Sequence, residues 1–468
     1  MACYTKNMRN CIPENIRVVL QEIEKEHECK IYAVGGCVRD LFLEKESKDL
    51  DFVTVGGDAV EIFTALGRRF NTKITTSFDR FGVAQIIIGD LILEIIEARK
   101  EVYQENSRKP IVTKGTLDDD ILRRDFTINS LFQTLDGRVF DRTGRGLYDL
   151  KRKKIVTVGL EDVTFSDDPL RMLRAIRFVS KYGFECDVDT IKGIKRNRER
   201  IHIISAERIR DEILQIVNGE HAREGLLLMQ STGLLHEVLP ELEQQIGVIQ
   251  NEHHIFDVWE HSLHAMENAP QIPFVRLLAL LHDIGKPDTF QKIDGKVTFY
   301  NHDEKGAEMI GDILRRLRFS RKEIEQAEKV VKNHLRPLLY DRKIYTKDAI
   351  KRMVRIFGEE RELIFMVAEA DAKASAHPET RELSYLKEQM ELIDKEPEIK
   401  NIKISLSPLT GDEICRICKR QDRGKWIGEL KKLLEDAVLD GTIDMHDKAG
   451  AEKWITMHYN RSSSEMEL

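Results

Sequence analysis

Asp49-Leu50-Asp51-Phe52-Val53 carries two carboxylates and two large apolar side chains in strict alternation. In a strand, successive side chains point to opposite faces, so Asp49 and Asp51 share one face and Leu50 and Phe52 the other. Two carboxylates that close repel each other unless a cation lies between them. A strand-borne Asp-x-Asp is therefore a cradle for hard cations that take oxygen ligands, magnesium above all. Alone, such a pair is as readily a solvated strand edge. Upstream, Ile31-Tyr32-Ala33-Val34 reads as a short buried strand that stops at Gly35-Gly36, with a helix expected over 38–43. A glycine turn between strand and helix lets phosphate approach the backbone, and Arg39 adds a cation. Downstream, residues 84–88 and 91–96 are apolar runs split by Gly89-Asp90, which predicts a hairpin.

The chain has 468 residues, too many for one core, with 41% hydrophobic and 33% charged residues. No run approaches the roughly 18 apolar residues of a membrane span, and the N-terminus lacks a signal-peptide pattern, so a cytoplasmic location and no membrane partner are expected. Seven irregularly spaced cysteines make a poor disulfide framework. Cys415-x-x-Cys418 reads as an ordinary helix segment. Net charge is −7, but phosphates meet a patch and not an average: residues 151–210 hold 15 Lys/Arg against 9 Asp/Glu. Beyond about residue 165 strand signals fade. Over 168–181, Met172, Ala175, Ile176 and Val179 form an apolar stripe, while Arg174, Arg177 and Lys181 share another face.

Gly35-Gly36-Cys37-Val38-Arg39-Asp40 followed by Asp49-Leu50-Asp51 resembles the head of bacterial CCA-adding tRNA nucleotidyltransferases and their poly(A) polymerase relatives, within the polymerase-β-like nucleotidyltransferase superfamily. The likeness continues through Arg123-Arg124-Asp125-Phe126-Thr127-Ile128-Asn129, Asp141 with 146–150, Asp167-Asp168-Pro169-Leu170-Arg171 to Phe178, and Glu207-Arg208 to Glu212. The family usually has Glu-Asp where this chain has Asp167-Asp168.

The resemblance implies magnesium on Asp49 and Asp51, and a nucleotide site built from Gly35, Gly36, Arg39, Arg124, Asp125, Asn129, Asp168, Arg171, Arg174 and Arg177. It implies that Asp168 and Arg171 select the base. On a helix, residues three apart are neighbours, and a carboxylate beside a guanidinium can read an amine next to an acceptor nitrogen, which cytosine and adenine share. Glu94 is a candidate third carboxylate, with orientation of Arg99 as its alternative role. The stretch from Arg99 to Asp120 resembles the family's mobile loop, whose presence favours addition of the final A.

His261, His282-Asp283, His302, His334 and Asp371 resemble the ligand order of the HD phosphohydrolase superfamily. These residues suit a second divalent or transition metal. Either the domain hydrolyses phosphate esters or it is a helical body that retains the ligands without turnover; the filled positions favour the first.

The expected fold class is α+β: a nucleotidyltransferase palm over 18–150, a helical neck over 151–240, an HD metal-binding domain over 241–400 and a helical tail over 401–468. The expected reaction joins CTP and ATP to the 3′ end of tRNA, adding C, C and A and releasing pyrophosphate. The rivals are a poly(A) polymerase and an HD phosphohydrolase with an RNA-binding N-terminal domain.

Overall fold

The computed structural model describes residues 2–4, 10–77, 83–104, 107–250, 256–293, 295–343, 345–375, 381–395, 408–420, 424–439, 443 and 447–465. They fall into two compact units: 1–338 with 362–380, and 339–361 with 381–468.

The first unit begins with a mixed eight-stranded sheet. Its strands are β1 (Ala2–Tyr4), β2 (Lys30–Val34), β3 (Asp49–Val55), β4 (Ile74–Ser77), β5 (Val83–Ile88), β6 (Leu91–Glu97), β9 (Leu131–Thr134) and β10 (Val139–Asp141); Arg99–Gln104 (β7) and Ser107–Lys114 (β8) form a separate hairpin. The spatial order is β1-β10-β9-β2-β3-β6-β5-β4. Only β3 and β6 run parallel; the expected hairpin joins β5 and β6, with Gly89 at φ +61° in its turn. The stretch from Arg99 to Asp120 that resembles the family's mobile loop carries β7, β8 and the start of a short helix, α4 (Leu117–Leu122), over its described residues.

Alternation along β3 does what the sequence reading requires. Leu50 and Phe52 are 1% exposed, whereas Asp49 and Asp51 open to solvent. The apolar face is covered by α1 (Glu14–Glu26) and α3 (Ala59–Phe70), whose Phe63 meets Phe52 edge-on at 6.4 Å. The carboxylate face is open at one end only. Farther along, Val53 is sealed in a cluster with Val34, Phe132, Ala98 and Ile121 of α4. Burial on both sides explains why β3 is not polar throughout its second face.

Helices follow: α5 (Gly146–Lys151), α6 (Glu161–Asp167), α7 (Leu170–Tyr182), α8 (Val188–Asn197) and α9 (Ala206–Val217). On α7, Met172, Ala175, Ile176 and Val179 are buried as the stripe predicts. Phe178 docks the helix onto the sheet domain through Phe126, ring centroids 5.7 Å apart. Three helices, Ala222–Ser231, Leu234–Val238 and Pro240–Glu243, then lead to a bundle that includes Val258–Asn268, Pro273–Leu281, His302–Arg316, Arg321–Asn333 and Arg361–Ala374. The second unit is helical, with a core of Leu409, Ile414, Leu434, Ala451 and Ile455. Cys415 and Cys418 lie at the end of its helix Gly411–Ile417, as the sequence suggests, and they are free thiols, as are Cys11, Cys29, Cys37 and Cys186. No described helix is long and apolar enough to cross a membrane.

Candidate active-site cleft and a buried histidine cluster

A cleft of about 700 Å³ lies between the sheet and α7. Gly35, Gly36, Arg39, Asp49, Asp51, Arg124, Asp125, Asn129, Asp168, Arg171, Arg174 and Arg177 all line it, although they span more than 140 positions. Glu94 joins them because its parallel partner across the β3–β6 ladder is Asp51.

The electrostatics follow from this convergence. Among the described residues, neither the Asp49 nor the Asp51 carboxylate receives a hydrogen bond. Loss of water pushes the Asp51 carboxyl up from its ordinary range; Asp49 pushes the same way, while Arg124, Arg39 and Arg174 oppose it. Glu94 is also raised, by desolvation first and by Asp51 second. Three carboxylates without hydrogen-bond donors, facing an open cleft, fit a divalent cation.

Gly35 sits at φ +72° where a Cβ would stand 3.2 Å from Arg124 Nη1 and 3.7 Å from Asp51 Oδ2. Its own N–H already bonds Leu131 O at 3.3 Å, so what it gives the cleft is space and not a donor. Helix α2 (Gly36–Phe42) starts two residues earlier than expected, at this turn.

Several arginines expected to meet nucleotide are held by the protein. Arg39 is 5% exposed and donates to Asn129 Oδ1 and Tyr182 Oη, both at 2.6 Å. Asp125 has no oxygen to spare: Oδ1 accepts from Phe126 N and Asn129 Nδ2, and Oδ2 pairs with Arg174 at 2.6 Å. Burial pushes Asp125 up, but Arg174 and Asn129 outweigh it and hold the carboxyl far below its ordinary range. Arg177 pairs with the buried Glu212 at 3.1 Å. These residues are braces between sheet domain and helices as well as cleft lining.

The expected helical i,i+3 pairing of Asp168 and Arg171 is not what forms. Pro169 separates α6 from α7, and Asp168 is in extended conformation at the break, φ −138°. Asp168 accepts from Leu170 N and from Arg208 Nη2 at 3.1 Å. Arg171 donates to Thr164 O at 3.2 Å and Arg123 O at 2.5 Å. A carboxylate has about four acceptor positions and a guanidinium five N–H donors, so both keep capacity for a base edge. The break aims the two side chains into one cleft, which a continuous helix would not require.

The sequence reading missed Asp120. It is fully buried, and its two oxygens take Arg123 Nε at 2.8 Å and Arg124 Nη2 at 2.8 Å. Burial pushes its carboxyl up, yet Arg124 and Arg123 win and keep it low. The signal was present: Asp120 precedes Arg123 and Arg124 by three and four residues at the end of a helix.

The second cluster is buried throughout. His261, His282, Asp283, His302, His334 and Asp371 are each 8% exposed or less. His261 Nε2 is 2.9 Å from Asp371 Oδ1; Asp283 Oδ2 is 3.1 Å from His282 Nε2, and Asp283 Oδ1 is 3.3 Å from His302 Nε2 and 3.8 Å from His334 Nε2. In His282, His302 and His334, Nδ1 faces the carbonyl three residues earlier, at 2.7, 2.8 and 2.6 Å. A carbonyl only accepts, so Nδ1 carries the proton and Nε2 points inward, where no hydrogen bond satisfies it. Gly285 permits this closeness, since a Cβ there would lie 2.3 Å from His302 O. Two ligand triads result, His261/His282/Asp371 and His282/Asp283/His334. Orphaned buried imidazole nitrogens with oriented rings fit a metal ion. Despite burial, Asp283 and Asp371 push the His282 imidazole up to about 10, so a metal ion there would displace a proton from Nε2.

Comparison with known proteins gives first the class, a nucleotidyltransferase. Residues 31–156 match the "Poly A polymerase head domain", residues 183–246 the "Probable RNA and SrmB- binding site of polymerase A", and residues 251–356 the "HD domain". An A-adding tRNA nucleotidyltransferase from Deinococcus radiodurans is 30% identical over 356 residues, covering 72% of this chain and 79% of that one. A CC-adding tRNA nucleotidyltransferase from Thermus thermophilus is 28% identical over 433 residues, 90% of this chain and 92% of that one. The crystal structure of the Bacillus stearothermophilus CCA-adding enzyme in complex with CTP shares the fold, with TM-score 0.62 at 22% identity over 98% of this chain and 100% of that one. The chain belongs to the tRNA nucleotidyltransferase and poly(A) polymerase family, a family of metal-dependent nucleotidyltransferases, and carries an HD domain.

The Asp125 brace makes a stability prediction. Asp125→Ala strands Arg174 in the cleft wall and should cost about 3–5 kcal/mol in urea unfolding. A folded-state carboxyl held below its unfolded value stabilises above that unfolded value, about 3.9, and the contribution fades as pH falls. The variant should therefore lose less stability than the parent between pH 5 and pH 3 (about two units of acidification). Equal acid sensitivity would show that the pair is not stabilising.

Proposed function

We propose that the chain adds C, C and A to the 3′ end of tRNA, taking CTP and ATP and releasing pyrophosphate. The observation that carries this reading is the meeting of the Asp49/Asp51 pair with Asp168 and Arg171 in one cleft. Its volume, about 700 Å³, is in the range of small-molecule sites and accommodates a nucleotide.

Asp49 and Asp51, with Glu94 beside them, hold magnesium. Bound there, magnesium would supply Lewis-acid activation of the attacking hydroxyl and charge neutralisation for the leaving pyrophosphate. Gly35 leaves room for the phosphates beside Asp51, and Arg124, fixed by Asp120, faces them. Lys181 on α7 and Lys48 before β3 add cations at the rim. Asp168 accepts from the exocyclic amine of cytosine or adenine, and Arg171 donates to the adjacent ring acceptor. Catalysis then rests on positioning and charge neutralisation.

Support for addition of both C and A comes from the β7–β8 hairpin. Glu101 on β7 pairs with Arg123 at 3.3 Å, and the carbonyl of Arg123 accepts from Arg171. The hairpin is thus tied to the base-reading side chain, an arrangement suited to a site that serves two bases in turn.

We infer a second activity for the HD domain. The cluster of His261, His282, Asp283, His302, His334 and Asp371 holds a divalent or transition metal, and phosphomonoesters or 2′,3′-cyclic phosphates are its substrates. A metal held by these residues would supply Lewis-acid chemistry for phosphoester hydrolysis. The inward, hydrogen-bond-free Nε2 atoms favour this over a passive helical body.

Purified protein given a tRNA that ends before CCA, with magnesium and each nucleotide singly and together, should add two C and one A and stop. A long A tail would favour a poly(A) polymerase, and no incorporation would sink both. Arg171→Ala should reduce discrimination for CTP and ATP over UTP and GTP by about 10-fold or more, since a lost paired hydrogen bond is worth about 1–3 kcal/mol; unchanged selectivity refutes the role. His282→Ala with Asp283→Ala should abolish metal-dependent phosphatase activity and spare nucleotide addition.

A further inference from the structure

Lys286 ends the run His282-Asp283-Ile284-Gly285-Lys286 and is 6% exposed. Its Nζ lies 2.6 Å from Asp283 Oδ2 and donates to Gln250 Oε1 at 2.7 Å, with the Phe299 ring centroid 5.5 Å away. Gln250 is buried as well, and its Nε2 donates to the carbonyls of Phe256 and Asp257 at 3.3 and 3.4 Å. The amide that faces Lys286 is thereby pinned to the start of helix Val258–Asn268, and the ammonium is held on one oxygen of one carboxylate.

That oxygen matters. Asp283 presents Oδ1 to His302 and His334, and Oδ2 to His261, His282 and Lys286. Asp283 and Asp371 are two buried carboxylates in one cluster, and a buried anion is stable only when paired. Without a metal, Lys286 supplies a fixed positive charge at the oxygen where a cation would bind. A divalent ion entering beside Oδ2 meets both a like charge and a competitor for the lone pair.

We propose that Lys286 is a resident countercharge that stands in for a metal: it stabilises the metal-free cluster and weakens divalent-cation binding at Asp283. The proposal rests on the reading of the cluster as a metal site. It makes Lys286 a positioning residue with a defined sign of effect, because anything that stabilises the metal-free state lowers apparent metal affinity. A residue that merely held the cluster in shape would do the opposite, and its loss would weaken binding.

The test uses the full chain and cobalt(II), whose visible absorption reports histidine ligation and so separates this cluster from the carboxylates of the cleft. Lys286→Met should bind cobalt about tenfold more tightly than the parent. Its metal-free melting temperature should fall, and the rise on adding cobalt should exceed that of the parent. Lys286→Arg, which keeps the charge, should stay close to the parent affinity. If Lys286→Met does not fold, Lys286→Gln removes the charge with a polar reach and should show the same tightening. Unchanged or weaker affinity in a folded, charge-removed variant overturns the proposal. Absence of a cobalt–histidine spectrum in the parent and every variant overturns the metal reading itself.

Discussion

Asp49 and Asp51 repel each other across one face of β3, and the cleft around them is arranged to make that repulsion useful. Its walls carry nine Lys/Arg and seven Asp/Glu, so cations nearly balance anions without touching the central pair. Arg124 illustrates the device. It lies close enough to lower the energy of ionised Asp51, yet the protein bonds it makes go to Asp120 and to Asn129 O and not to the central pair. The oxygens of the pair are thus left available to a cation. Asp120 and Asp125 are the hidden half of the arrangement: both are buried anions that fix arginines in place, and neither faces outward with a free oxygen.

The histidine cluster meets the same difficulty by other means. There the carboxylates are buried, and the charge beside them comes from Lys286 and from the His282 imidazole, which they push up. Oxygen ligands in an open cleft suit a hard, exchangeable cation that arrives with nucleotide. Nitrogen ligands in a closed pocket suit a more tightly held ion. On the proposed reading, one chain offers two candidate metal sites of opposite character, both within its first compact unit.

Much of this was legible in the sequence because it depends on local periodicity. The alternation in 49–53, the turn at 35–36, the hairpin at 89–90 and the apolar stripe of α7 are read from spacing alone, and the family likeness ordered them into one site. What stayed hidden was set by side chains meeting over long distances. Arg39 lies 143 positions from the Tyr182 hydroxyl it binds, so its role as a brace has no sequence signature. Pro169 did carry a signal: the residue before a proline is biased away from helix, which puts Asp168 outside α7. Lys286, four positions after His282, has no spacing signature that sets it apart from an exposed lysine; its burial and its ion pair with Asp283 arise only in the fold.

The central claim is that Asp49 and Asp51 hold the cations of nucleotidyl transfer in the cleft that Asp168 and Arg171 share. It is tested most directly by crystals of the full chain grown with manganese and a non-hydrolysable CTP analogue, using anomalous scattering to locate the metal. The account predicts a manganese peak between the two carboxylates, in contact with the analogue's phosphates, with the cytosine edge at Asp168 and Arg171. An analogue bound in the cleft with no manganese at Asp49 and Asp51 would contradict it.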